Sequence, residues 1–135
     1  MIVETLYSLS KDGVVLGVDE WSEKLGIIPM ECCQYGEKIP IKNSRSVSAS
    51  SYWTLGIKKT EDDSINSQVL KVLDMLYPKA KEINALIEEY GLDSGIGSFV
   101  WVDDDTEASD LDVYLEAETI RKLAGLQADF AVCIY

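Results

Sequence analysis

The chain is 135 residues long, 47% hydrophobic and 9% aromatic, which fits one globular domain with its own core and excludes a disordered chain. Twenty-four acids against twelve bases leave a formal charge of −12, the wrong sign for neutralising nucleic-acid phosphates or meeting an anionic membrane surface. Histidine is absent, which removes the commonest general base and metal ligand, and with them Ser-His-Asp and Cys-His catalysis.

Residues 2–9 alternate as a first strand, with Val3, Thr5 and Tyr7 opposite Ile2, Glu4, Leu6 and Ser8. No basic n-region precedes that alternation, so it is read as structure, not as a secretory signal, and the cytoplasm is the expected location. Lys11-Asp12-Gly13 is a turn signal, and the β-prone run 14–18 after it predicts a hairpin with the first strand. Asp19 is the expected cap of a short helix over 20–25 that puts Trp21 and Leu25 on one face and ends at Gly26.

Residues 31–51 form the least regular stretch, longer than an ordinary connection, and they collect Lys38, Lys42 and Arg45 on an otherwise acidic chain. The adjacent Cys32 and Cys33 could close only a strained disulfide, and no histidine or CxxC spacing activates them, so a structural role is expected. A strand over 52–59 follows, with Tyr52, Thr54 and Gly56 on one face and Trp53, Leu55 and Ile57 on the other. Val69, Val72, Leu73 and Leu76 stripe a helix over 65–76, and Pro78 opens a second helix striped by Ile83, Leu86, Ile87 and Tyr90 and closed by Gly91. This pair should lie across one face of the sheet.

Another strand is expected over 96–102. Gly91, Gly95 and Gly97 before and within it lack the spacing of a phosphate loop. An acidic loop comes next. Its Asp103, Asp105 and Glu107 alternate as in a calcium site, but Ala108 replaces the required glycine and Tyr114 the bidentate glutamate, so no metal and no cofactor is expected. The last 25 residues read as a closing β-α-β unit: alternation at Leu111, Val113 and Leu115, a helix carrying Ile120, Leu123, Ala124 and Leu126, and an apolar strand over 130–135 covered on both faces. Cys133 in that strand is expected to be a small buried hydrophobe. The segments 18–27 and 115–126 both leave a short helix through Lys-Leu followed by glycine, a weak internal echo.

These elements compose a single α+β domain over residues 1–135: a mostly antiparallel sheet, with a helical pair and short helices packed on one face. The segment EWSEKLGIIP at 20–29, the Tyr35-Gly36-Glu37 turn, Trp53-Thr54-Leu55, Leu76-Tyr77-Pro78 and the closing LEAETIRKLAGLQADFAVCIY together resemble a widespread bacterial family of small proteins classed as a domain of unknown function. The resemblance implies one α+β domain and transfers no catalytic residue.

The expected function is therefore binding and not catalysis, most concretely that of an immunity protein that neutralises a toxin domain by protein–protein contact. Asp103, Asp104, Asp105, Glu107 and Asp110 would meet a basic partner, whose encounter a strong negative field speeds. The alternative is a ligand-binding domain or small enzyme with a pocket between the sheet and the 31–51 loop, lined by Trp53, Tyr35 or Cys32. A final apolar strand at a sheet edge would also allow homodimer pairing.

Overall fold

The computed structural model describes residues 2–61, 64–102 and 113–135. The chain order is β1 (Ile2–Asp12), α1 (Val18–Leu25), β2 (Glu31–Cys33), β3 (Ser50–Glu61), α2 (Ile65–Leu76), a 3-10 turn at Tyr77–Lys79, α3 (Ala80–Tyr90), β4 (Asp93–Trp101), α4 (Ala117–Gly125) and β5 (Asp129–Ile134). The five strands make one sheet in the order β2-β3-β1-β4-β5, antiparallel at every step except the parallel pair β4–β5. It is an α+β fold with a mixed, mostly antiparallel sheet. No helix among the described residues is long and apolar enough to cross a membrane.

Alternation makes β1 a central strand with two unlike faces. Val3, Thr5, Tyr7 and Leu9 are buried, and the registers set Trp53 of β3 and Ile96 and Val100 of β4 on the same side. Trp21 and Leu25 of α1, Val69, Val72, Leu73 and Leu76 of α2, Ile83 and Leu86 of α3 and Leu123 of α4 close over these residues in one core cluster. All four helices therefore cover one face of the sheet. The striped pair forms as its sequence dictates: Ser64 Oγ caps α2 by accepting from Ser67 N at 3.2 Å, and Gly91 ends α3 with φ +64°.

Polar side chains tie this layer together. Thr5 Oγ1 donates to Gln68 Oε1 at 2.5 Å, Gln68 Nε2 donates to Val3 O at 3.1 Å, and Ser98 Oγ completes the cluster at 3.0 Å from Thr5. Asn66 Oδ1 accepts from Glu116 N at 2.9 Å and from Thr119 Oγ1 at 2.8 Å, so a side chain of α2 does the capping for α4. Ser94 Oγ lies 2.8 Å from Tyr7 Oη and donates to Leu126 O, which makes Tyr7 the donor in its own bond.

Burial pushes the Tyr7 phenol up to about 12. Because the unfolded phenol loses its proton near pH ~10, the folded state holds the extra proton above that, and stability falls as pH rises from about 10 to about 12. Urea unfolding across this range should show that loss in the wild type and a shallower fall in Tyr7→Phe, in which the Tyr7 contribution is gone.

Four sequence expectations fail. The run 14–18 is not a hairpin strand: both edges of β1 are taken by β3 and β4, Val14 and Val15 are exposed, and Val18 already belongs to α1. Asp19 lies inside that helix, whose cap position is Gly17. Residues 113–116 are irregular, with 111 and 112 outside the described residues, so the closing β-α-β unit is β4-α4-β5. Finally β5 is an edge strand that pairs, among the described residues, with β4 alone, and Cys133 in it is exposed, not buried. The echo of 18–27 in 115–126 lands on α1 and α4, which deliver the chain to β2 and β5, the two edges of the sheet.

Candidate functional site: the open face of the sheet

The face opposite the helices is floored by small side chains. The pairings set Leu6 between Gly56 of β3 and Gly97 of β4, with Ala131 of β5 beyond Gly97. The next row is Thr54, Ser8, Gly95 and Asp129. Two depressions open on either side of Leu6. One, of about 320 Å³, is lined by Ser8, Ser10, Asp93, Gly95, Gly97 and Phe99 among others; the second, of about 380 Å³, lies against Met30, Glu31, Cys32, Pro40 and Thr54. Leu6 lines both, so the two lie side by side on the open face as a shallow groove that its side chain divides.

The glycines of this floor are not equivalent. A Cβ on Gly56 would stand 2.1 Å from Thr5 O and 2.9 Å from Leu6 Cα, so the close approach of β1 and β3 beside the irregularity between Val3 and Thr5 requires glycine there. A Cβ on Gly95 would come no closer than 3.7 Å to its neighbours, and one on Gly97 would rest 3.5 Å from the Phe99 ring. Both are ordinary contacts. The fold accepts side chains at 95 and 97, and mid-strand glycine costs about 0.5–1 kcal/mol, yet the positions are bare.

Around this floor the charge is mainly negative. Glu4, Asp93 and Asp129 occupy open-face positions, and Glu31 joins them by its pairing with Thr54. On the same side Lys59 Nζ sits 4.0 Å from the centre of the Trp101 ring, which stacks on Tyr135 at 5.4 Å. Burial, and then the Glu31 carboxylate, hold the Tyr52 phenol well above its ordinary range.

Residues 34–48 form an ordered arm at the β2 side. Gly36 N donates to Ser48 O at 2.9 Å, Ser48 N to Glu37 O at 2.7 Å and Ile39 N to Ser46 O at 3.0 Å, so the stretch folds back on itself. Ser51 Oγ fastens its base by donating to Val14 O at 2.6 Å and accepting from Tyr35 N at 3.0 Å. Cys33 is buried beneath the arm, with the Gln34, Glu37 and Lys38 carbonyls 3.6–3.9 Å from its Sγ.

Of the residues expected to line a pocket at this loop, Cys32 does so. Trp53 does not: it is fully buried in the core and donates through Nε1 to Ser22 Oγ at 3.1 Å. Tyr35 is half exposed and lines neither depression. Burial first, and then the Asp19 carboxylate, push the Cys32 thiol up, while burial and Glu37 do the same to Cys33. Neither is an activated thiolate. Asp103, Asp104, Asp105, Glu107 and Asp110 lie outside the described residues. Gly95 and Gly97 were visible in the sequence only as a failed phosphate loop; their signal is two glycines two apart in a strand, which empties one face alone.

A family model described as a domain of unknown function (DUF4279) matches residues 8–135, and the chain belongs to that family. No curated protein and no solved structure gives a match.

Proposed function

We propose that this member of the DUF4279 family is a binding protein that takes a basic segment of another protein onto the open face of its sheet. The observation that carries the reading is the bare floor at Gly95 and Gly97, positions where the backbone tolerates a side chain and a close-approaching partner does not. The chemistry of the occupant follows from the walls. Leu6, Phe99 and Ala131 offer apolar contact, while Asp93 and Asp129 close one end and Glu31 the other. A segment with an aliphatic side chain flanked by lysine or arginine meets both, and the −12 net charge speeds its arrival. Neutralising a basic toxin domain, as an immunity protein does, is the biological role this chemistry fits.

Backbone amide NMR during titration with a short lysine-leucine peptide tests the reading. Shifts should concentrate on Ser8, Gly95, Gly97 and Asp129, weaken with salt, and be absent with a glutamate-leucine peptide. Shifts confined to α1 and α3 would contradict it. A second reading, a small-molecule site between sheet and arm, draws on the depression beside Met30, Cys32 and Pro40. It calls for a small-ligand footprint restricted to those residues, with Gly95 and Gly97 unmoved.

A further inference from the structure

The two edges of the sheet are built differently. β2 is three residues long and runs directly into the arm at 34–48, which buries its Cys33. At the other end, β5 (Asp129–Ile134) is six residues long and, among the described residues, no strand pairs with its outer side. Its own sequence carries no proline, lysine or arginine, and Asp129 is its lone charge. Ile134 is 51% exposed and Tyr135 after it 62%.

The backbone fixes what this edge can accept. Tyr135 N donates to Val100 O, and Val102 N donates to Tyr135 O, so Tyr135 spends both polar groups on the β4 side. By strand alternation Ala131 and Cys133 do the same, while Phe130, Val132 and Ile134 turn their N–H and C=O outward. We infer that the outer edge of β5 pairs antiparallel with β5 of a second copy of this chain, about a two-fold axis at Val132. In that register Val132 bonds Val132 of the second copy, Phe130 bonds its Ile134, and every outward group of the three residues is satisfied. Asp129 falls opposite Tyr135 of the second copy, so no like-charged side chains meet.

Two five-stranded sheets then run on as one, with both helical layers on one side and both open grooves on the other. Ala131 and Cys133 of each copy extend the floor of the other's groove. This inference does not depend on what the groove binds.

The test uses the full chain in high salt, where repulsion between two −12 molecules is screened. Sedimentation equilibrium over a concentration series should give a dimer, and Val132→Pro, which removes an outward N–H and none bonded to β4, should give a folded monomer. In the Val132 register, position 131 faces position 133 of the second copy in a non-hydrogen-bonded pair, about 4.5 Å apart at Cα and within disulfide reach. Ala131→Cys should therefore become a covalent dimer under mild oxidation, while the wild type and Ala131→Cys/Cys133→Ser should not. A wild type that stays monomeric throughout the series overturns the inference. So does an Ala131→Cys chain that cross-links no faster than its Cys133→Ser counterpart.

Discussion

Gly56→Ala should destabilise the protein by about 3 kcal/mol or more, while Gly97→Ala on the same sheet face should be neutral or stabilising by about 0.5–1 kcal/mol. At 56 the new methyl would stand 2.1 Å from Thr5 O, inside the ladder that joins the two longest strands. Backbone cannot rotate away as a side-chain tip can. The strands must separate there, which strains the β1–β3 pairs Leu6–Gly56 and Thr5–Ile57. At 97 the methyl lies against the Phe99 ring at ordinary contact distance, over an open depression. Urea unfolding of the two single variants beside the wild type measures the difference. Similar costs at both positions would mean that Gly97 too is held by the fold, and the groove would lose its main support.

Much of this fold is legible in the chain because local and tertiary preferences agree. The stripe Val69, Val72, Leu73 and Leu76 and the alternation Val3, Thr5, Tyr7 each name the buried face without reference to the rest of the molecule. Trp53 falls in the core for the same reason. What failed is pairing. An apolar run such as residues 130–135 reads identically whether it lies in the middle of a sheet or at its edge, because the run reports β-propensity and not the number of neighbours. Val14 and Val15 have the composition of a strand, but β1 had no free edge to offer them. The arm at 34–48 was unreadable because its order comes from bonds across its own base and to Ser51, not from any periodic pattern.

The candidate site was less legible still, since it consists of absences: side chains missing from one face at 95 and 97. A sequence motif advertises residues that act. A groove floor advertises residues that stay out of the way, and only the register shows that Gly97, Leu6 and Ala131 share a row. The acids expected to form the binding surface lie outside the described residues. Glu31, Asp93 and Asp129, which ring the groove, were not distinguished in the sequence from any other acid.

The second large effect is expected at Gly97 on binding. Gly97→Leu places four carbons over the row that holds Leu6 and Ala131, in a depression of about 320 Å³. The fold should tolerate it, because leucine is the better strand residue and the first atom of its side chain clashes with nothing. The groove should not, because its floor would be raised where an occupant's aliphatic group must rest. No charge changes, so any loss of binding reports shape.

That separation matters on a molecule of this charge, since a chain carrying −12 attracts any basic peptide to some degree. The most direct measurement is the affinity of the lysine-leucine peptide for wild type and Gly97→Leu, by titration calorimetry at physiological salt with unfolding midpoints recorded for both. The expected result is an affinity loss of about tenfold or more, or about 1.4 kcal/mol, with the Gly97→Leu chain at least as stable as the wild type. Equal affinity in the two proteins would contradict the open face as the binding site and leave only general attraction between opposite charges.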